Sequence, residues 1–247
     1  MAYARQHSRP TSGTLPHSMS VRIIVSEHEL SALRPMWNQL AVGQPFRSWD
    51  WQVAWWRHYG RGPGRRLHLI ACFDGQTLIG LLPCYRRLTP QGRVLRPLAS
   101  GEVCSEYLGL LAAPGRASEV ATQICDALSG TGRQADLSRT WDLLILDAQD
   151  AGDEALGLLR KGLALLGHPM ETALGAVCWR LVVPDDPDHL RGSAEYEQAR
   201  FELFLKQVAR GHRSRLRRAE RRGVAQDYQL HFASDEASLA EGFAILV

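Results

Sequence analysis

The sequence predicts an α/β fold of α+β character, a mixed sheet flanked by helices. Two observations carry this. An antiparallel hairpin occupies the first half, "RRLHLIACF", "DGQ" and "TLIGLLPCYRRL", and strands alternate with helices after it. The composition permits such a core, with 45% hydrophobic and 22% charged residues in 247.

Taken in order, residues 1–19 form a leader rich in Ser, Pro and Thr, expected to be disordered and dispensable. It has no apolar core and is no secretory signal; Met19 is an alternative start. "MSVRIIVS" opens the first strand. Leu30, Leu33, Trp37 and Leu40 then share one face of a helix over Glu27 to Ala41. Ser48 caps a second helix, in which Trp51, Trp55 and Tyr59 form one stripe and Trp49 and Trp56 the next. Such stripes are usually core; a sugar- or acyl-binding wall is the alternative. After the hairpin, "VLRPLASG" and "EYLGLLAA" read as strands. "PGRASEVATQICDALSG" reads as a helix with Val120, Ile124 and Leu128 on one side. "TWDLLILDAQ" has the continuous apolar run of a strand buried on both faces. A helix over Ala151 to Leu166 and a strand "GAVCWRLVV" close the first domain, residues 20–184. The Pro/Asp-rich linker at residues 185–196 precedes a long helix from Glu197 to Arg222 with a kink expected at Gly211. "YQLHFA" is a last strand and "SLAEGFAILV" a last helix.

Charge is concentrated in one place. Lys206 to Arg222 holds eight cations against Glu220, a local +7 in a chain of net charge +3, which leaves −4 for the rest. That excludes a dispersed basic surface and leaves one local anion site. Arg213, Arg217 and Arg221 recur at i, i+4 and i+8, with Arg218 and Arg222 on the adjacent row. Like charges at this spacing repel, so intramolecular carboxylates or a bound anion must offset them. Guanidinium forks suit phosphate, and no motif for reading duplex DNA accompanies them. Five scattered cysteines without CxxC spacing read as reduced, mostly buried thiols of a cytoplasmic protein, with no metal site. No apolar run reaches the ~18 residues of a transmembrane helix.

The element order, "PFRSWDWQVAWWRHYG", "GQTLIGLLPCYRR", "WDLLIL" and "SRLRRAERRG" together resemble the CelD-type, BioF-like N-acyltransferases, relatives of the Fem transferases in the GNAT superfamily. The resemblance spans Val21 to Val247. It implies a GNAT-like first domain and the opening of a second, incomplete one at residues 197–247. It also implies acyl transfer from CoA, or from aminoacyl-tRNA, to an amine of a sugar or of a cell-envelope or exopolysaccharide precursor. The superfamily's phosphate loop reads Q/R-x-x-G-x-G/A; "AAPGRA", residues 112 to 117, keeps Gly115 and Ala117 but has Ala112 and Pro114, and reads as a decayed form of it or as an ordinary strand–helix turn. Cofactor binding therefore falls to Arg213, Arg217, Arg218 and Arg221, with acyl-CoA as donor. No catalytic set is recognisable. "SEYLG" offers only a weak candidate, Glu106 as base with Tyr107 as proton donor; a solvent-facing carboxylate at a strand start is the favoured reading, and neither residue is assigned as catalytic. A non-catalytic anion-binding module for RNA or an anionic membrane is the reading from another class.

Overall fold

The computed structural model describes residues 19–101, 103–131, 137, 140–175, 193–226, 233 and 235–246. They fall into two compact units, Met1–Cys178 and Trp179–Val247.

In the first unit β1 (Met19–Ile24) leads into α1 (Glu27–Ala32), which Ser26 caps by accepting from the Glu29 amide. The expected single helix is two: α2 (Arg34–Leu40) starts at Leu33, with Pro35 in its first turn. Proline has no N–H to continue the α1 ladder. Leu30, Leu33 and Trp37 are buried as the spacing requires. Ser48 caps α3 (Trp49–Trp55), accepting from the Trp51 amide.

α3 ends in one wide π turn, Trp56–Gly60, closed by the Arg61 amide on the Trp56 carbonyl. The extra residue shifts the phase of this last turn, so the stripe expected from a 3.6-residue period is broken. Trp49, Trp55 and Trp56 are buried; Trp51 (38% exposed) and Tyr59 are not. Gly60 is where the turn needs glycine: a Cβ there would lie 2.2 Å from Trp56 Cε3.

The hairpin strands each divide once. β2 (Arg65–Leu67) and β3 (Leu69–Asp74) run antiparallel to β5 (Cys84–Thr89) and β4 (Thr77–Leu82) respectively. The register carries through the break, where the His68 amide bonds the Cys84 carbonyl at 3.0 Å. Pro83 cannot donate to the ladder, so one long hairpin passes from one sheet into the next.

Instead of one sheet, the described strands make two of four, ordered β1-β3-β4-β7 and β2-β5-β6-β8. Here β6 is Gly92–Pro97, β7 is Leu111–Ala112 and β8 is Leu143–Leu144. Only β8 runs parallel to its neighbour, β6. The mixed α/β class with sheets flanked by helices is the expected one.

Alternation along β3 builds the layers. Leu69, Ala71 and Phe73 join the core under α1 to α3; Ile70 and Cys72 join the core under α4 (Ala117–Ser129) and α5 (Glu154–Leu165). Val120, Ile124 and Leu128 seat α4, and Asp153 caps α5.

Two strand expectations need correction. "TWDLLILDAQ" is not buried on both faces: β8 is two residues long and Leu143 is 41% exposed, because β8 ends the order of its described sheet. "EYLGLLAA" is strand only at Leu111–Ala112. The expected strand at residues 175–183 (all but Gly175), the linker up to residue 192, the leader to residue 18 and most of "YQLHFA" lie outside the described residues.

The second unit shows α6 (Ala194–Gln207), α7 (Arg210–Ala225) and α8 (Glu236–Leu246). The long helix is therefore two, and the break falls at Val208 rather than Gly211. Val208 is extended (φ −90°, ψ 149°), and its carbonyl, left without a helical partner, accepts from Arg213 Nη2 at 3.1 Å.

Candidate functional site

In the first unit the register breaks at the carboxyl ends of the parallel strands β6 and β8. Cys84 faces Pro97, yet Leu81 faces Leu111. Residues 98–110 therefore leave the ladder and fold over it. The excursion is packed: Leu98, Ala99, Ser100, Ser105, Leu108 and Leu110 are buried. It meets the segment after β8, where Leu108 bridges Gln149 in parallel and its amide bonds the Ala148 carbonyl at 2.9 Å. Ligands in open α/β sheets bind beyond the carboxyl ends of parallel strands.

Four residues here hold left-handed backbone without being glycine: Ala99 (φ 60°), Cys104 (φ 50°), Tyr107 (φ 55°) and Ala148 (φ 56°). Each costs on the order of 1 kcal/mol, and such strain collects at functional sites. Arg47 holds the two segments together. Its Nε donates to the Tyr107 carbonyl, and its Nη2 lies 2.5 Å from Asp153 Oδ2. The side chains of that pair are 14% and 9% exposed, so it is a buried clasp whose loss would strand a charge. Asp153 does double duty, since its Oδ1 accepts from the Leu156 amide at 2.8 Å. A Cβ at Gly109 would make tight contacts, 3.1 Å from Gln149 Oε1 and 3.3 Å from Arg47 Nη2, so a larger residue would have to displace those side chains.

The break is flanked by polar groups that are incompletely paired. Arg96 Nη2 pairs with Asp147 Oδ2, while Arg96 Nε, Asp147 Oδ1 and Gln149 Oε1 are buried with no hydrogen-bond partner among the described residues. Such groups each cost about 1–3 kcal/mol unless something engages them. Asp147 also bears on the chemistry of Cys84: burial, and then its negative charge, push that thiol far up, so Cys84 is no nucleophile. Trp51 stands at the edge, its indole N–H donating to Ser105 Oγ at 2.9 Å and its ring edge-on to Phe46. The arrangement offers two acceptors, one guanidinium donor and one aromatic face.

Glu106 and Tyr107 lie on this excursion, both half-buried, in a bend and not at a strand start. The "AAPGRA" turn is elsewhere, at the start of α4. Gly115 is left-handed (φ 74°), but Arg116 is already engaged by Glu119 and Asp74. Two carboxylates against one guanidinium leave this helix start negative, so these residues do not fit a polyphosphate.

In the second unit Arg213, Arg217, Arg218 and Arg221 share α7, but not one environment. Arg213 is half-buried against the Val208 carbonyl. Arg217 pairs with Glu202 at 2.8 Å. Arg218 and Arg221 are exposed and have no ion pair among the described residues, as is true of Arg215 and Arg222.

Arg47, Arg96, Asp147, Gln149 and Asp153 escaped the sequence reading. Asp153, three residues before Leu156 at a helix start, was legible as a cap; the others are joined only by the register jump. No metal-ligating group occurs among the described residues, and no described helix is long and apolar enough to cross a membrane.

No family model matches the chain, and no curated protein matches it. Solved structures do. A ribosomal-protein-alanine N-acetyltransferase from Brucella melitensis biovar Abortus 2308 is 12% identical, covering 66% of this chain and 100% of its own, with a TM-score of 0.40. An aminoglycoside N-acetyltransferase in complex with CoA is 16% identical, covering 68% and 97%, with a TM-score of 0.38. A transcriptional regulator from Bacillus halodurans C-125 is 14% identical, covering 66% and 100%, with a TM-score of 0.37. Two are N-acetyltransferases and one is a regulator, so the likeness selects no activity.

Proposed function

We propose that the chain serves an acyl-CoA-dependent N-acyltransferase of CelD or BioF-like type, with an amine of a sugar or cell-envelope precursor as acceptor. The observation that carries this is the uncompensated charge of α7: Arg218 and Arg221, with Arg217 shared with Glu202 and Arg213 behind them, form the anion grip for the donor phosphates. The motif resemblance supplies the reaction class. Within the first unit, the unpaired oxygens of Asp147 and Gln149 suit N–H and O–H donors, as an amino sugar presents.

The test is acetyl-CoA titration followed by mass spectrometry of an amino-sugar panel. Transfer to an amine is expected. Arg217→Ala with Arg221→Ala should weaken acetyl-CoA at least ~10-fold, about 1.5 kcal/mol for one charge-assisted bond. Binding unchanged by these substitutions, with no acylated product, would reject the reading. The same exposed arginines favour one alternative, a non-catalytic anion-binding module. It predicts RNA binding that weakens steeply with salt and no acylated product.

A further inference from the structure

The first unit carries a second cationic feature. Strand β2 lies at the edge of its sheet, and its ladder with β5 sets arginine against arginine twice: Arg65 faces Arg87 and Arg66 faces Arg86. The amide of Leu88 bonds the Gly64 carbonyl and that of His68 bonds the Cys84 carbonyl. Arg66 and Arg86 therefore occupy a hydrogen-bonded pair, and Arg65 and Arg87 the closer, non-bonded kind. Like charges directly opposite destabilise a ladder. None of the four has a carboxylate partner among the described residues, whereas Arg93 and Arg96 on the next strand are paired with Asp142 and Asp147. A single lysine or arginine suffices to guard an edge strand; two facing pairs, half of them on the inner strand, exceed that need.

Beside the pairs lies a notch of about 280 Å³, lined by Arg61, Arg65, Arg66, Glu27, Trp56 and Leu67. Arg65 is already aimed, its Nη1 donating to the Tyr59 carbonyl at 2.7 Å and its guanidinium lying 5.7 Å from the Tyr85 ring. Arg61 binds Glu27, the one carboxylate at the notch. Three arginines thus meet one glutamate at the notch, and Arg86 faces one of them, Arg66, across the ladder.

We propose that the edge of β2, with Arg66 and Arg86 opposite one another on one face of the ladder and Arg61 and Arg65 at the adjoining notch, is a binding site for a soluble phosphate-bearing small molecule, distinct from α7. Two planar guanidiniums directly opposite across a ladder can both donate to one tetrahedral oxyanion. The uncompensated field is felt nearby: burial, and then the charge of Arg86, hold His68 neutral, with its pKa lowered to about 4. Nothing in this assignment depends on the acyl-transfer reading.

Inorganic pyrophosphate is the probe, titrated calorimetrically at low ionic strength into the full chain. Binding is expected, weakened at least ~10-fold by Arg66→Ser with Arg86→Ser and unaffected by Arg160→Ser with Lys161→Ser, two exposed cations of α5. Should the first pair fail to fold, Arg86→Gln alone serves, with circular dichroism as the check. Saturation should also raise the pKa of His68, followed by NMR, because the anion neutralises the charge facing it. Pyrophosphate that does not bind, binds equally well to the Arg66/Arg86 variant, or leaves His68 unmoved overturns the proposal. So does binding to vesicles containing phosphatidylserine in the absence of any pyrophosphate binding.

Discussion

Among single residues, the tryptophans of α3 show how far spacing alone can be trusted. Five aromatic residues in eleven positions announced a large apolar helix, and Trp49, Trp55 and Trp56 are indeed core. Spacing alone did not separate the rings: Trp51 and Trp55 sit four residues apart in α3, yet one is half-exposed and the other buried, and of their stripe only Tyr59 is displaced by the π turn. Trp55→Ala and Trp56→Ala should each cost ~3–5 kcal/mol in urea unfolding, the loss of a buried ring plus its cavity. Trp51→Ala, half-exposed, should cost less than ~1.5 kcal/mol in the same measurement. His68 gives a pH test. Its folded pKa, about 4, lies below the ordinary 6.5, so the unfolded chain takes up a proton that the folded one refuses. Stability contributed by the neutral ring is present above about pH 6.5 and is lost as pH falls toward 4, by up to roughly 3 kcal/mol. His68→Gln should flatten that part of the stability profile. Asp142, held far below the usual carboxylate range by its hydrogen bonds from Arg93, loses its contribution only in stronger acid, so the two windows separate.

Among elements, α4 and α7 are the instructive contrast. α4 was readable from Val120, Ile124 and Leu128 and buries six residues. Helical periodicity in α7 was equally readable, but its described residues include no fully buried side chain. Glycine is the usual weak point of a helix, which is why the sequence points to Gly211 for the break from α6; the chain instead turns at Val208, whose carbonyl Arg213 satisfies. Periodicity reports that a segment is helical, while the site of a break depends on partners distant in sequence. Hydrogen exchange should therefore find α4 amides protected to near the global unfolding free energy and α7 amides exchanging by local opening, orders of magnitude faster. Saturating acetyl-CoA should slow α7 and leave α4 unchanged. The strands show the same division: the hairpin was legible from alternation and "DGQ", whereas the excursion of residues 98–110 looked like more strand because its leucines are equally apolar. The clasp from Arg47 to Asp153 arises from that register jump, which no local pattern records.

At the scale of the molecule, apolar burial is uneven. The first unit holds two cores, on opposite faces of its sheets. The described part of the second buries only Tyr196 and Leu205 among its apolar side chains. Small units with so little core are marginal. Six of the seven tryptophans (37, 49, 51, 55, 56 and 141) belong to the first unit, and three described helices to the second. Urea should accordingly lower the helical circular dichroism before tryptophan fluorescence changes, giving two resolved transitions. Coincident curves would mean that the units unfold together.

The cysteines, unremarkable as chemistry, turn the first unit into its own clock. Cys104 is exposed on the excursion, and Cys125 lies between α4 and α5 with its thiol donating to the Leu159 carbonyl. Cys72 and Cys84 sit within the sheets. Burial raises Cys125 to about 11 and Cys72 to about 12, so neither forms thiolate unless water reaches it. An alkylating reagent would then read out breathing in sequence: Cys104 at once, Cys125 when the helix pair parts, and Cys72 and Cys84 only when the sheets themselves come open. Four modification times, resolved by mass spectrometry on the unaltered chain, would rank the layers by how often each lets solvent in.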